Sequence, residues 1–462
     1  MTTTGTRNEL GITVAKDLRT VMQGKVAIAG EASYEAARQV FNGAVDRRPA
    51  LVAFCESAKD VQEAVRAARA YGLPLSVRGG GHDWAGRALS DHGLVVDLSR
   101  MRQVEVDVRR RVATVAGGAR AIDVFAAAGP HGLAAVTGVA GTVGLAGLLT
   151  GGGYGPLLPR FGLALDNLLG AEIVVADGQV VFADSSQNSE LFWAIRGGGG
   201  NLGVVTSMLV RLHPIEKVLA GFILFPLNEA MSVLTGYCKF ASSAPEELSV
   251  LGGIVSTPDG KPCVLLAPTW SGESKRGEEV VAGLLRLGTP LFTQLSWMKF
   301  QDMLALFDAQ LVEGRHYFLR TRSLATLSTE AISELIAAGN GRTSPHSVVV
   351  WHHLSGKAAR IPVADTSFGN RAEHFMVDVI SCWDPTSQEK GELHRQWAEN
   401  LSKALAPMAL PGGYPNMLGP DDSEQIPFAY GSNAERLMAA KKRFDQDDVF
   451  SSATPLLRRR QS

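Results

Sequence analysis

Arg78-Gly79-Gly80-Gly81-His82 closes an apolar strand (Leu73 to Val77), is followed by Asp83, Trp84, Ala85 and Gly86, and decides how the rest of this chain is read. Three consecutive glycines turn the backbone sharply. They also bring N–H groups against an anion with no Cβ in the way, the requirement for cradling a pyrophosphate. His82 then lies beside whatever the loop holds. Alone, the segment fits equally a tight turn with a hydrogen-bonded histidine. Two further clusters change that balance: Gly151-Gly152-Gly153-Tyr154-Gly155, closing a small-residue run from Gly138, and Arg196-Gly197-Gly198-Gly199-Gly200-Asn201-Leu202-Gly203. Three such loops between Gly79 and Gly203 point to one extended ligand.

Gly198, Gly200 and Gly203 satisfy G-x-G-x-x-G, which serves a dinucleotide only when a strand precedes it and a helix follows. Here Leu191 to Ile195 reads as helix and Val204 to Val210 as strand, so the order is reversed and a Rossmann site is set aside.

Four ordered motifs carry a family likeness: R-G-G-G-H, the T-V-G-x-x-G-x-x-x-G-G-G-Y-G block at Thr142 to Gly155, Phe161 to Asn167, and L-F-W-A-x-R-G-G-G-G-N-x-G-V-V-T at Leu191 to Thr206. With Ala429-Tyr430-Gly431, Asn433, Arg436-Leu437, Lys441 to Asp445 and Phe450, the chain resembles FAD-linked oxidases of the vanillyl-alcohol oxidase/p-cresol methylhydroxylase superfamily. The closest likeness is to the berberine-bridge-enzyme-like branch, from about Val26 to Phe450. The resemblance implies an α+β, two-domain flavoprotein. Its FAD-binding domain would be discontinuous, residues 1–214 with a C-terminal segment, 412–462, returning to it. Residues 215–411 would form a substrate domain, an antiparallel sheet covered by helices and roofing the flavin.

Composition agrees with a globular protein of two domains: 462 residues, 45% hydrophobic, net charge −1. That balance gives no global attraction to nucleic acid or anionic membrane. No apolar run approaches the roughly 18 residues that span a bilayer, and the polar start, Met1 to Gly11, lacks a secretory pattern, so a cytoplasmic protein is expected. Cys55, Cys238, Cys263 and Cys382 are widely spaced and show no C-x-x-C pair, which indicates buried thiols rather than a disulfide framework or a metal. Helical spacing runs from Asp60 to Tyr71, and strands are expected at Gly93 to Leu98, Val104 to Val108 and Val112 to Gly117. Beyond a turn at His213-Pro214 they are expected at Ala220 to Phe225, Ser249 to Val255, Cys263 to Thr269, Ser347 to His353 and Phe375 to Cys382, with helices over Glu278 to Leu287 and Thr329 to Ala338. Arg458-Arg459-Arg460 reads as a solvated tail. A monomer or homodimer is expected.

The resemblance makes His82 the residue covalently bound to FAD, a role that neutral imidazole can fill because it carries a nucleophilic nitrogen. Relatives with a second, cysteinyl bond carry that cysteine where this chain has Ala140, so a single attachment is implied. Val143 occupies the position associated with dioxygen access, and its small side chain favours an oxidase. Further cofactor contacts are expected from Arg78, Gly79, Gly80, Gly81, Thr142, Gly144, Gly147, Gly152, Gly153, Tyr154, Gly200, Val205 and Asn416. Asp166 and Asn167 are assigned to ribityl or phosphate, and Asn201 to the adenosine end. Arg78 either faces pyrophosphate or shapes its own loop. Tyr414, in the Y-x-N segment, is the first candidate base, although a phenol needs nearby positive charge or hydrogen bonds to serve at neutral pH. Orientation without proton transfer is the other reading. His353 and Asp378 follow, then His316, Tyr317, Trp351 and Trp383. Where the family commonly ends F-R-x-N-Q-N-I, this chain has Phe450-Ser451-Ser452-Ala453-Thr454-Pro455-Leu456. The expected activity is hydride removal from a small or medium organic substrate (alcohol, amine or activated C–H) to FAD and then dioxygen, giving hydrogen peroxide. A dehydrogenase or oxidative cyclase is the rival, and a non-catalytic FAD-binding protein the distant third.

Overall fold

A computed structural model describes residues 3–308, 310–386 and 391–456; the triple arginine lies outside them. Three sheets organise the chain. The first, β1 (Val26–Ile28), β2 (Leu51–Phe54), β3 (Leu75–Arg78) and β4 (Leu94–Asp97), has the order β1-β2-β4-β3, with β2 and β3 parallel to β4. Leu51, Leu75, Leu94 and Val96 are buried in its core with the helix Ala58–Tyr71. Ser57 caps that helix by accepting from the Asp60 amide, and Gly72, at φ 62°, ends it in a left-handed turn.

The second sheet holds β5 (Val104–Asp107), β6 (Val112–Ala116), β7 (Leu133–Ala135), β8 (Leu168–Val174), β9 (Val180–Asp184) and β10 (Val204–Pro214), in the order β5-β6-β10-β8-β9, with β7 on β10. Its core takes in Leu191 to Ile195 of the helix Ser189–Gly198. It also takes in Leu418, Ile426, Ala429, Tyr430 and Leu437 from near the chain's end. The helix does precede and the strand does follow the third glycine loop, as the sequence reading requires.

Beyond Pro214 comes one seven-stranded antiparallel sheet. Its strands are β11 (Lys217–Pro226), β12 (Leu248–Ser256), β13 (Pro262–Trp270), β14 (Phe292–Lys299), β15 (His316–Leu324), β16 (Val348–Leu354) and β17 (His374–Trp383), in the order β14-β11-β13-β12-β16-β17-β15. β14 and β15 are absent from the sequence expectation. β14 is largely exposed and lacks the alternation that marks a strand. β15 carries Arg320, Thr321, Arg322 and Ser323, buried polar residues that mask its pattern. Helices Ala230–Ala241, Ser274–Leu285, Thr329–Asn340 and Gly391–Leu405 cover one face with a common core. The α+β, two-layer architecture expected from the motifs is the one observed. Phe300–Asp308 is the exception to segregation by sequence, because Phe300, Met303 and Leu304 are buried in the core of the second sheet.

Candidate active site

Two glycine loops meet back to back. A Cβ on Gly80 would lie 2.3 Å from the Gly144 amide nitrogen, and one on Gly144 would lie 2.4 Å from that of Gly80, so neither position admits a side chain. The contact sets the Arg78-to-His82 turn beside Thr142, Val143 and Gly144. The amides of Gly79, Gly80 and Gly81 form no backbone hydrogen bond among the described residues, which leaves a row of donors. His82 shares a 2.8 Å hydrogen bond with Thr142 through Nε2 and stacks on Phe41 at 4.3 Å. Burial, with a smaller contribution from Arg120, pushes its pKa down to about 4, so the imidazole is neutral at physiological pH. Ala140 is buried two residues before Thr142, and the neighbouring Gly141 amide donates to Asp308.

The second glycine cluster makes room for an aromatic ring. A Cβ on Gly152 would fall 2.6 Å from the Tyr414 ring, and one on Gly151 would fall 2.3 Å from the Asn416 amide. Tyr414 Oη accepts from the Gly153 amide at 2.9 Å and from Asn416 Nδ2 at 3.0 Å, while Asn416 also donates to the Gly147 carbonyl. Both lone pairs of the phenol are thereby taken, so its own hydrogen points away from both donors. Burial outweighs these two hydrogen bonds and pushes the Tyr414 phenol up to about 12, which counts against it as the base and in favour of the orienting role.

Above this floor lies the face of β16 and β17 that bears His352, Met376 and Asp378. Met376 and Leu354 pack in one cluster with Tyr154 and Tyr414, and the His352 ring lies 6.2 Å from Tyr154. Asp378 is 3% exposed, and its Oδ1 meets no hydrogen-bond partner among the described residues. Burial raises its carboxyl to about 7. Tyr154 and His374 close the back of the site with a 2.9 Å hydrogen bond, and His374 meets the Ala372 carbonyl through Nδ1.

Several residues read from the sequence stand elsewhere. His353 is turned the other way: register puts it opposite Phe375, on which it stacks, and it pairs with Glu373 on the helix-covered face. Trp351 and Trp383 are buried in that same helix-side core, and His316 lies against Trp383. Tyr317 faces the other way, stacked on Phe41, which in turn stacks on His82. Arg78 points into its own sheet, 3.0 Å from Asp97 and donating to the Ala37 and Gln39 carbonyls, so it shapes the loop. Asp166 is held bidentately by buried Arg371, and Asn167 is spent on the Phe161 and Leu163 carbonyls and on His213. Asn201 donates to the carbonyls of Gly198 and Thr454, clasping the C-terminal strand of chain rather than opening to a ligand. Gly147 and Gly199 keep open space where a Cβ would stand, one on Gly200 would meet the Ala453 side chain at 3.8 Å, and Val205 is buried in β10 beneath Gly117. Phe41, His374 and Arg371 enter the site's structure without any motif to announce them; of the adjacent His352 and His353, one of which the strand reading puts toward the pocket, it is His352.

Among the described residues no group of His, Cys, Asp and Glu could hold a metal, and no helix is long and apolar enough to cross a membrane. Residues 49–184 match a family model described as FAD binding domain, and residues 416–456 one described as Berberine and berberine like. The chain is 36% identical over 448 residues to (R)-6-hydroxynicotine oxidase of Paenarthrobacter nicotinovorans, covering 93% of this chain and 95% of that one. Among solved structures, 6-hydroxy-D-nicotine oxidase from Arthrobacter nicotinovorans superposes with a TM-score of 0.84 at 29% identity, over 94% of this chain and 98% of that one. Glucooligosaccharide oxidase from Acremonium strictum, described with a 6-S-cysteinyl, 8α-N1-histidyl FAD, shares the fold at a TM-score of 0.85 and 23% identity, over 96% of this chain and all of that one.

Proposed function

This chain belongs to the FAD-linked oxidoreductases with a berberine-like C-terminal segment, and from that premise we propose that it is an oxidase: it removes hydride from a small or medium organic substrate and passes the electrons to dioxygen. The observations that support the reading are the glycine loops packed beside His82 and the placing of Tyr414 and Asp378 within electrostatic reach of one another. FAD, when bound, accepts the hydrogen and electrons that leave the substrate carbon.

The residues fit that group. Gly79 to Gly81 offer unpaired amides to an anion, the Gly80–Gly144 contact fixes that turn, and Gly147 keeps open space where a Cβ would stand. His82 is the attachment point. The Nε2 contact with Thr142 leaves Nδ1 without a partner among the described residues, which agrees with the histidyl linkage described for the Acremonium enzyme. Ala140 cannot form a thioether, so attachment is single. Tyr414 orients the substrate with its remaining hydrogen, and Asp378, titrating near neutrality, takes the proton from the substrate heteroatom. Val143 stands beside this loop and leaves space for dioxygen. We group residues 1–214 and 412–462 as the cofactor domain and 215–411 as the substrate domain, with Phe300–Asp308 lending its apolar side to the former.

Anaerobic addition of a substrate should bleach the flavin, and air should restore it with one peroxide per turnover. Val143→Leu should slow reoxidation and leave bleaching unchanged. A reduced enzyme that ignores air but is reoxidised by an artificial dye would replace the oxidase by a dehydrogenase.

A further inference from the structure

The two faces of the seven-stranded sheet keep different company. One is buried under helices. The other meets the cofactor domain along its margins: Val218 and Ala220 join the core of the second sheet, Phe222 meets Phe307, Tyr317 stacks on Phe41, and Leu354 and Met376 join Tyr154 and Tyr414. Between those margins Leu224, Leu251, Val350, His352 and Ile380 are half-buried, although most sit on inner strands, and apart from half-buried His353 their strand neighbours on the helix side are buried. A roof with a gap beneath it results.

Strand register gives the charged and hydroxyl-bearing groups near the carboxyl. Across all seven strands the face carries no Lys, Arg or Glu. Its carboxyl is Asp378, its imidazoles are His352 and His374, and Thr321 and Ser323 set hydroxyls beside Asp378 on the neighbouring strand, away from Leu251 and Val350. His374 is spent on Tyr154 and a carbonyl, whereas His352 forms no hydrogen bond among the described residues and the buried Asp378 Oδ1 has no partner.

We propose that the substrate is an amine with an apolar body, its nitrogen held at Asp378 and its carbon skeleton laid against Leu251, Val350 and Ile380. This rests on the oxidoreductase reading and narrows it. A sugar would turn several hydroxyls toward aliphatic side chains, each forfeiting water without replacement at a cost of about tenfold or more in affinity. A carboxylate would face Asp378 with no cation to receive it. An alcohol gives Asp378 a hydrogen bond but leaves its charge uncompensated. An ammonium compensates it, and His352, held neutral by burial, does not repel it. Desolvation makes the ammonium more acidic and the carboxyl more basic, so the two converge on a shared proton. In the transfer an N–H bond breaks and an O–H bond forms on Asp378. The neutral amine that remains has the lone pair that must close a C=N bond when hydride leaves its carbon.

The test uses the holoenzyme with 1-phenylethylamine and 1-phenylethanol, which differ only in the polar group, and with phenylacetate and cellobiose. Binding is read anaerobically from the shift in flavin absorbance, and turnover from bleaching. The amine should bind about tenfold or more tightly than the alcohol and bleach the flavin. Asp378→Asn should erase that preference, and His352→Lys should reverse it in favour of phenylacetate. Equal binding of amine and alcohol, or a preference unmoved in both variants, overturns the assignment. Bleaching by the alcohol or cellobiose but not the amine sinks the amine and leaves the oxidoreductase standing. A flavin that dithionite reduces but no amine, alcohol or sugar bleaches counts against both.

Discussion

Replacing Asp378 by asparagine should make the protein more stable and less active at once, and the size of the first effect follows from where the carboxyl sits. It is 3% exposed, and its pKa is raised by burial from 3.8 to about 7. In the unfolded chain it ionises near 3.9. Between those two values the folded protein holds a proton that the unfolded chain has lost, so stability falls as pH rises through the window and levels off above about 7. The full cost at about 1.4 kcal/mol per pH unit is on the order of 4 kcal/mol. Asparagine keeps the shape and removes the titration. From about pH 5.5 to about pH 8.5, wild type should lose about 2 kcal/mol that Asp378→Asn retains. For 462 residues the unfolding entropy is roughly 1 kcal/mol/K, so the gap between their melting temperatures should widen by about 2 °C. Differential scanning calorimetry of both proteins at the two pH values reads this directly. Parallel curves would refute the raised titration of the buried carboxyl and the acid-base role built on it. In the same pair, the rise in the rate of flavin bleaching through about pH 7 should be present in wild type and absent in the variant.

Acid-precipitated wild type should stay yellow, with flavin mass on the peptide containing His82 and none on those of the four cysteines; His82→Ala should release free FAD. Tyr414→Phe should slow bleaching by about 10²-fold through lost positioning while keeping the pH limb near 7, and loss of that limb would return the base to Tyr414. It should also destabilise by about 1–3 kcal/mol, because the Gly153 amide loses its acceptor and Asn416 one of its two. Arg371→Leu strands the Asp166 carboxylate in the interior and should cost about 3–5 kcal/mol in denaturant titration, whereas wild-type stability would show the pair to be dispensable.

Most of the cofactor end was legible because glycine is informative where backbones touch: Gly80 and Gly144 admit nothing else, and both fall within motifs. Polar residues near those motifs were less readable. Asp166, Asn167, Asn201 and Arg78 all looked like ligands of the cofactor, yet each is consumed by a partner distant in sequence or by carbonyls of its own loop. A single sequence does not reveal whether a donor already has an acceptor. The roof was half legible. Alternation identified the strands, but choosing His352 over His353 needed the register of β16 against β17, which is decided by packing on helices far along the chain. The Tyr414 phenol was placed by motif, while its high pKa depends on burial that no local pattern encodes.

The core of the second sheet has a consequence for how the protein is made. Leu418, Ile426, Tyr430 and Leu437 complete that core, Phe450 plugs the first sheet, and the Thr454 carbonyl is clasped by Asn201. A ribosome that has just released Pro214 must translate the whole roof before these residues appear, a delay on the order of tens of seconds. For that interval the nascent N-terminal half carries its glycine loops on an unfinished core. A messenger cut short before Phe450 yields a chain whose first sheet lacks that plug and whose Asn201 lacks the Thr454 carbonyl.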